Sequence, residues 1–263
     1  MTMSKVAALI QARSNSTRLP GKILLDFGPN TVLKAVVDRV KYSKKVDEVL
    51  VVTSFEKDDD VVEAYCKTIE TNCYRGPLHD VLARFYQAAI SCGKPQVIVR
   101  ITADCPFVDP SLIDSMLSFF EDSNLDYLAN SAPPPGTFPD GLDVEIFTFK
   151  ALQRAHLESF LPSDREHVTF YFWKSGLFKT LRYDSPEDNS EFRFTIDYPE
   201  DYRILRNIYE EVCSINPMFN LDLLLQFVKQ NNSELPSAAL RNSGWESSEA
   251  KDQHFLSNQS ELD

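Results

Sequence analysis

Apolar and polar positions alternate in blocks along the first half of the chain. Two apolar runs rich in β-branched residues, 6–12 and 48–54, predict buried strands, and apolar residues recur at helical spacing in 31–43 between them. The next units repeat this order. Helices are predicted at 59–70, at 79–91 and from Pro110 onward, with a near-continuous apolar strand at 96–104. This alternation predicts a doubly wound α/β fold, with a mostly parallel sheet covered on both faces.

The second half of the chain is less regular. Consecutive prolines and two glycines mark a turn-rich stretch at 131–141. We interpret 131–190 as an insertion or arm that closes one side of the site. Within and after it, strands are predicted at 143–148, 177–184 and 192–199, and helices at 149–160, from Pro199 onward and at 221–230.

The end of the chain changes in composition. Residues 231–263 are rich in Asn, Ser, Glu and Gln and hold six acids against two bases, a net charge of -4. Such a segment cannot bury enough apolar surface to fold alone. We therefore expect a single domain over 1–230 followed by a flexible tail, 231–263.

Composition bounds the class of protein. The chain has 263 residues, 43% of them hydrophobic, which is enough for a substantial core. It has no apolar run of membrane-spanning length, and its N-terminus lacks the apolar core of a signal peptide, so we expect a soluble cytoplasmic protein without membrane contact. The five cysteines include no CxxC pair, which favours reduced thiols over disulfides or a zinc site.

Charge is distributed unevenly. The formal net charge of -12 disfavours a nucleic-acid partner, which usually demands a basic face. Residues 1–30, however, carry Lys5, Arg13, Arg18 and Lys22 against Asp26 alone, a net charge of +3. Positive charge concentrated in this way indicates a small anionic ligand held locally.

Three of these cations lie in the loop after the first predicted strand. Arg13, Arg18 and Lys22 therefore lie at the carboxyl edge of the predicted sheet, where open α/β folds bind ligands. Residues 14–17 add hydroxyl and amide donors, and Pro20-Gly21 predicts a turn that aims Lys22 inward. Neither of the familiar glycine-rich phosphate motifs occurs. From charge alone, a triphosphate-binding loop and a solvated basic loop explain the segment equally well.

Carboxylates end two later predicted strands. Asp104 follows the strand at 96–104 and Asp197 lies near the end of 192–199, so both could reach the same edge of the sheet as Lys22. Mg²⁺ takes one or two protein carboxylates and completes its shell with phosphate and water, which suits such a pair. Strand-ending aspartates are also common as turn residues or helix caps, and the residue pattern leaves both explanations open.

The segment IQARSNSTRLPGK (10–22) resembles the nucleotide loop of sugar cytidylyltransferases of the CMP-Kdo synthetase type, and the spore coat polysaccharide (SpsF-like) branch still more closely. Five matching segments follow in order: CYRGPLHDVLARF, RITADCPFVDP, FPDGLDVEIF, SDREHV and TIDYPEDY. The resemblance spans about residues 5–230. It implies a three-layer α/β nucleotidyltransferase fold related to the GT-A class, and a homodimer. It also implies Mg²⁺-dependent transfer of CMP from CTP to an anionic sugar-like acceptor, with release of pyrophosphate.

The resemblance also implies roles for individual residues. The catalytic cations are Arg13, Arg18 and Lys22, and Asp104 with Asp197 bind the metal. Nucleotide contacts come from these cations and from Gln11, Ala12, Ser16, Arg75, Gly76, Asp80, Arg84 and Thr102. Acceptor contacts come from Asp140, Asp143, Glu145, Arg165, Glu166, His167 and Arg193.

Several of these residues have plainer explanations. Asp80 could cap a helix and pair with Arg84 at i, i+4, and His167 could be a packed histidine. The SpsF-like loop usually carries glycine where this chain has Asn15, a residue that tolerates a left-handed backbone. Arg165 and Arg193 could hold an acidic group of the acceptor.

Other activities stay open at this point. A related transferase for another nucleotide, a GT-A glycosyltransferase and a non-catalytic nucleotide-binding paralogue all fit the fold. A loop with three cations disfavours the glycosyltransferase, since a nucleotide sugar carries less charge than a triphosphate. The acceptor is not identified, nor is the attacking group, which could be a hydroxyl, a phosphate or a phosphonate.

Overall fold

A seven-stranded sheet runs through the centre of the protein, whose structure is a computed structural model that describes residues 5–238, 251–253 and 255–257. The strand order is β5-β4-β1-β6-β8-β7-β9, and a two-stranded hairpin, β2-β3, lies apart from it. The strands are β1 Val6–Gln11, β2 Asp26–Phe27, β3 Asn30–Thr31, β4 Glu48–Ser54, β5 Asn72–Gly76, β6 Val97–Thr102, β7 Tyr127–Ala129, β8 Glu145–Thr148 and β9 Thr180–Arg182.

Helices cover both faces of this sheet. On one face α1, α2 and α4 share a core with Ala8 and Ile10 of β1, and on the other α3, α5 and α7 pack on Ala7 and Leu9. A third cluster joins α8 and α9 to Phe27. The helices are α1 Val32–Tyr42, α2 Asp60–Thr68, α3 Val81–Ser91, α4 Pro110–Glu121, α5 Phe149–Glu158, α6 Pro162–His167, α7 Phe170–Lys174, α8 Pro199–Ile215 and α9 Leu221–Asn231.

The predicted three-layer α/β architecture is confirmed, and the sheet is mostly parallel as expected. Strands β5, β4, β1 and β6 are parallel, whereas β8 runs antiparallel to both β6 and β7. The interpretation of 131–190 as an arm needs correction, because β8 lies inside the central sheet between β6 and β7. This part of the chain closes the sheet as well as one side of the site.

The strand predicted at 192–199 is wrong. Phe192, Phe194 and Ile196 do alternate into the third core cluster, which explains the strand-like pattern. Their backbone bonds go to loops instead of a strand: Phe194 donates to the Asp140 carbonyl at 2.7 Å and Ile196 to the Asp104 carbonyl at 3.0 Å. The segment therefore has no regular secondary structure and connects the loop at Asp140 to the loop at Asp104 through backbone hydrogen bonds.

The predicted tail falls partly outside the described residues, since 239–250, 254 and 258–263 are not among them. Residues 251–253 and 255–257 are helical, and Asp252 is buried. Among the helices that the structure describes, none combines the length and the apolar character needed to cross a membrane.

Candidate active site

The candidate site lies at the carboxyl edge of the parallel strands. Gln11 ends β1 and Thr102 ends β6, and these two residues are direct partners in the sheet. Ala12 extends the sheet by donating its N–H to the Val52 carbonyl at 3.1 Å. The loop 12–22 therefore leaves the sheet at the edge where open α/β folds bind their ligands.

The buried Asp59 holds this loop in place through hydrogen bonds. Its carboxylate accepts hydrogen bonds from the N–H and hydroxyl of Ser14, at 2.8 and 2.9 Å, and from the N–H and hydroxyl of Ser54. Burial raises the pKa of the Asp59 carboxyl, but these hydrogen bonds outweigh it and the pKa is lowered. The sequence did not single out Asp59, because it stands there as one of three successive acids, 58–60.

The predicted turn at Pro20-Gly21 closes the loop. Gly21 has φ 69°, in the left-handed region that favours glycine, and its N–H donates to the Ser14 carbonyl at 2.8 Å. Lys22 then begins a 3₁₀ turn, Lys22–Leu24. The left-handed backbone considered for Asn15 does not occur, since Asn15 is not among the described residues with positive φ.

Lys22 lies between the two predicted metal ligands. Its ammonium donates to Asp104 Oδ2 at 2.7 Å, to Asp197 Oδ1 at 3.1 Å and to the Ile196 carbonyl at 2.7 Å. Burial lowers the pKa of Lys22, but the two carboxylates outweigh it and the pKa is raised. Burial likewise opposes ionisation of both aspartates, and the Lys22 ammonium outweighs it and lowers the pKa of each. All three groups are therefore charged at neutral pH.

Two arginines hold Asp197 in place. Arg18 donates to Asp197 Oδ1 at 2.8 Å from the solvent side, and its guanidinium lies 5.0 Å from the centre of the Tyr198 ring. Arg193 donates to Asp197 Oδ2 at 3.1 Å and to both oxygens of Asp201 at 2.8 and 3.0 Å. Arg193 is only 1% exposed, so the structure places this predicted acceptor-binding residue beneath the site, where it orients Asp197.

The remaining loop residues face the opening. Arg13 is exposed, and its side chain forms no hydrogen bond or ion pair with the described part of the chain. The Ser16 hydroxyl accepts a long hydrogen bond from the Leu19 N–H at 3.4 Å. Arg18 and Lys22 thus meet at Asp197, with the Lys22 ammonium directed inward onto the carboxylates, and Arg13 is exposed in the same loop.

The residues predicted on the base side have largely structural contacts. Arg75 binds the Ser54 and Glu56 carbonyls and the carboxylates of Asp60 and Glu63, so it points away from the cleft. A Cβ at Gly76 would lie 2.7 Å from the Arg84 Cγ, which explains the glycine. These contacts do not support direct nucleotide binding by Arg75 or Gly76.

Arg84 is fully buried under the cleft. It donates to the Pro77 carbonyl at 2.8 Å, while its Nε and Nη2 find no partner among the described residues. Burial, aided by the nearby Arg13 charge, lowers the pKa of Arg84 to about 10. Asp80 caps α3 through the Ala83 N–H, as one explanation predicted, but its charge partner is Arg165 and not Arg84.

On the acceptor side, a buried network centres on Glu145. Its carboxylate accepts hydrogen bonds from Arg100, from the Tyr127 hydroxyl at 2.7 Å and from the Thr169 hydroxyl at 2.6 Å. Arg100 also donates to the Gln11 side chain at 2.9 Å, which links this network to the nucleotide loop. Arg100 was missed from the sequence, since an arginine inside an apolar strand pattern gives no sign of which face it occupies.

A strained turn presents the next predicted residue, His167. Val168 has φ 64° and ψ -51°, and the Thr169 N–H donates to the His167 carbonyl at 2.6 Å, which defines a γ-turn of the rare type. A positive φ at a β-branched residue is uncommon and marks functional sites in many proteins. Burial lowers the pKa of His167 to about 4, so the ring is neutral at neutral pH.

Two connected spaces open above these residues. A cleft of about 470 Å³ is lined by Gln11, Arg13, Leu78, His79, Asp80, Val81, Arg100, Pro162, Arg165, Glu166, His167 and Lys251. A deeper cavity of about 120 Å³ is lined by Arg100, Thr102, Ser131, Asp143, Glu145, His167, Thr169 and Phe170. Five of the seven predicted acceptor residues therefore border the cleft or the cavity, whereas Asp140 lies 3.4 Å from the buried Arg193.

Across the described residues, no group of three or more His, Cys, Asp or Glu side chains is arranged to hold a metal. Asp104 and Asp197 form a pair only, held together by the Lys22 ammonium. This arrangement of two carboxylates below a basic loop, at the carboxyl edge of a parallel sheet, defines a nucleotidyltransferase-like site.

Comparison with known proteins identifies the family to which this chain belongs. The sequence model of the cytidylyltransferase family matches residues 7–235, and the chain belongs to this family. It is an enzyme of the cytidylyltransferase class, which decides against the glycosyltransferase and the non-catalytic paralogue considered above.

Individual proteins and solved structures similar to this chain support the same family. The chain is 33% identical over 216 residues to the spore coat polysaccharide biosynthesis protein SpsF of Bacillus subtilis, covering 80% of this chain and 88% of that protein. The solved structure of a cytidylyltransferase from Leptospira borgpetersenii superposes with a TM-score of 0.79 at 35% identity, covering 87% of this chain and 95% of that one. A CMP:2-keto-3-deoxy-manno-octonic acid synthetase solved with CTP shares the fold, with a TM-score of 0.59 at 17% identity over 79% and 99% of the two chains.

Proposed function

We propose that this enzyme catalyses Mg²⁺-dependent transfer of CMP from CTP to an anionic sugar or sugar-like acceptor, with release of pyrophosphate. The observation that carries the proposal is the cluster of Lys22, Asp104 and Asp197 directly beside the basic loop. In phosphoryl transfer the protein mainly positions the reactants and neutralises charge. This edge of the sheet has both positively and negatively charged side chains that can do so.

The two aspartates fit Mg²⁺. Asp104 and Asp197 approach a single ammonium, so their carboxylates are already close enough to share one cation. Both have lowered pKa values and offer only oxygen atoms, the donors that Mg²⁺ prefers. A magnesium ion bound to them would neutralise phosphate oxygens of the nucleotide.

The loop residues would bind the triphosphate. Arg13 and Arg18 are exposed at the mouth of the site, and guanidinium groups bind phosphate in a bidentate manner. The oxygen of an acceptor hydroxyl bonds to the α-phosphorus and its proton passes to solvent, while the bond from this phosphorus to the bridging oxygen breaks and pyrophosphate leaves with the electron pair. Preorganised cations stabilise the charge that develops in this step.

An anionic acceptor is supported by the charges around the cleft. Arg13, Arg165 and Lys251 border this cleft, while burial lowers the pKa of His167 to about 4, which makes its ring too weak a base to be a good candidate for the general base. SpsF is named for polysaccharide biosynthesis, and the synthetase solved with CTP is named for a keto sugar acid. We therefore propose an acidic sugar in polysaccharide biosynthesis as the acceptor class, with a hydroxyl as the attacking group.

The test is a pyrophosphate-release assay. The enzyme is mixed with each of the four nucleoside triphosphates, with and without Mg²⁺, and with a panel of acidic sugars, sugar phosphates and phosphonates. We expect pyrophosphate only with CTP, Mg²⁺ and an acidic acceptor, together with a CMP-linked product in the mass spectrum. Faster release from another triphosphate, or equal release without Mg²⁺, contradicts the proposal.

We also propose that the enzyme is a homodimer, as the family resemblance implies. Sedimentation velocity of the full chain over a range of concentrations tests this, and a single species with the mass of one chain rules it out.

A further inference from the structure

The helix α6 carries three of the predicted acceptor residues, Arg165, Glu166 and His167, yet it is short and has a poor beginning. Its N-terminal residues are Leu161 and Pro162, and Leu161 provides no side-chain cap. Short helices depend on caps because their first N–H groups have no partner inside the helix. A six-residue helix that positions a site therefore needs a partner from elsewhere in the chain.

That partner comes from the C-terminal segment. Asp252 accepts hydrogen bonds from the Ser163 N–H at 2.9 Å and from the Ser163 hydroxyl at 2.5 Å. Both residues are buried, with exposures of 8% and 1%. Asp252 thus caps α6 as an N-cap residue would, although it lies 89 positions away in the sequence.

The residue before this cap reaches the cleft. Lys251 borders the same cleft as Arg13, Arg100 and Arg165, and its ammonium lies 2.9 Å from Glu166 Oε2. Its side chain remains 57% exposed, so the ammonium can also bind a second anion. The family model ends at residue 235, so this contribution is an addition to the shared domain.

We propose that the C-terminal segment completes the acceptor side of the cleft: Asp252 fixes α6, and Lys251 supplies a cation for an anionic group, carboxylate or phosphate, of the acceptor. This rests on the proposed function, since it assigns the charge that the acceptor presents to this rim. Lys251 is then a specificity residue of this enzyme, and Asp252 is a positioning residue.

Lysine labelling tests the anion site without requiring turnover. The full chain, with and without Mg²⁺ and α,β-methylene CTP to fill the triphosphate loop, is acetylated in separate arms containing D-glucuronate or inorganic phosphate. Mass spectrometry follows Lys251 and Lys67; the latter is a matched control because it also pairs with a glutamate, at 3.1 Å, and is exposed. We expect one anion to slow acetylation of Lys251 about 3-fold or more and to leave Lys67 unchanged.

The two arms separate the sources of negative charge. Protection by glucuronate alone indicates a carboxylate on the acceptor, and protection by phosphate alone indicates a phosphate. If neither anion protects Lys251, or if Lys67 is protected equally, the site does not exist. Calorimetry of the nucleotide analogue reports separately on the proposed function, because absent nucleotide binding contradicts that function and leaves the anion result readable.

Kinetics then place Lys251 in the reaction. Lys251→Ala should raise the KM for the acceptor about 5-fold to 10-fold while kcat and the KM for CTP change less than about 2-fold, and Lys251→Arg should restore most of the loss. Lys67→Ala should change none of the three. An unchanged acceptor KM in Lys251→Ala overturns the proposed role.

Hydrogen exchange tests the cap. In Asp252→Ala, the amides of 163–167 should exchange about 5-fold faster than in the wild type, while those of α1 stay unchanged. Asp252→Asn retains one acceptor oxygen and should lie between the two. Equal exchange in all three proteins shows that α6 is held without the C-terminal segment.

Discussion

The two sides of the cleft treat charge in opposite ways. On the nucleotide side, Arg13 and Arg18 are exposed, and Lys22 meets Asp104 and Asp197 at the open edge of the sheet. On the acceptor side, Glu145 is buried and its carboxylate is shared by Arg100 and two hydroxyls. Arg13 and Arg18 keep their charges available for a ligand, whereas Glu145 and Arg100 neutralise each other inside the protein.

This difference distinguishes residues that bind a ligand from residues that hold the site in shape. Charges that face solvent cost little to keep ionised and can exchange partners when a triphosphate or a metal arrives. A charge pair removed from water is stable only when each member keeps its partner, so its members set geometry more than they bind. Substitutions of Lys22 and its two aspartates should therefore affect catalysis, and substitutions in the Glu145 network should affect stability.

The largest effect is expected at the centre of the nucleotide side. Lys22→Met and Asp104→Asn should each lower kcat about 10³-fold, because the first removes a cation that balances phosphate charge and the second removes a proposed Mg²⁺ ligand. Lys34→Met, which breaks the Lys34–Asp38 pair on α1, is the control and should keep near wild-type activity. Steady-state pyrophosphate release measures the effect, and circular dichroism checks the fold. Near-normal kcat in both site variants would show that the carboxylate cluster is structural.

On the acceptor side the expected loss is of stability. Arg100→Met leaves Glu145 buried without its cation, and the free energy of unfolding should fall by about 3 kcal/mol. Glu145→Gln should cost less alone, and the double variant should be more stable than the sum of the two single losses predicts. Urea denaturation at neutral pH measures all three. Strict additivity would mean that the pair is not coupled.

The acceptor side should also make the stability of the protein depend on pH, through Asp164 on α6. Burial, and then the Asp252 carboxylate, raise the pKa of Asp164 on α6 to about 6, with Lys174 and Arg165 opposing the shift. In the unfolded chain this carboxyl ionises near its usual pKa, so folding is penalised increasingly as pH rises from about 4 to 6.

Asp164→Asn removes that penalty. The variant should exceed the wild type in unfolding free energy by about 1–3 kcal/mol at pH 7.5 and match it near pH 4. The exposed Asp122→Asn serves as the control for a surface carboxylate. A constant difference across this pH range would refute the assignment of the penalty to Asp164.

The sequence predicted the nucleotide side better than the acceptor side, for a physical reason. The loop is one continuous segment, 10–22, so a single sequence motif is enough to predict nearly all of it. Asp104 lies two residues after the end of β6, the strand that positions it. The acceptor network joins residues from β6, β7, β8 and the γ-turn at Val168, which no local pattern brings together. Arg100 and Asp59 were missed because their partners are distant in the sequence. The strand at 192–199 was wrong because Phe192, Phe194 and Ile196 alternate into the core without joining a sheet.

The loop anchor gives a smaller effect on the nucleotide side. Asp59→Ala removes the four hydrogen bonds that its carboxylate accepts from Ser14 and Ser54, so the KM for CTP should rise about 10-fold with a lesser change in kcat. Asp58→Ala is the matched control, because alanine keeps the backbone carbonyl that accepts from the Ser14 hydroxyl and the variant loses a long bond from Asn15, at 3.3 Å. Similar KM values in the two variants would show that the loop is held without Asp59.

The smallest effect is expected where the loop departs from its relatives in sequence. Asn15 is exposed, lacks a positive φ, and contributes one long hydrogen bond, from Nδ2 to Asp58 Oδ2 at 3.3 Å. Asn15→Gly adds backbone freedom that costs at most about 1 kcal/mol, so the KM for CTP should change less than about 5-fold. Asn15→Ala controls for loss of the side chain alone. A complete loss of CTP turnover in the glycine variant would mean that this side chain binds the nucleotide directly, which would move Asn15 from the outer surface of the loop into the site.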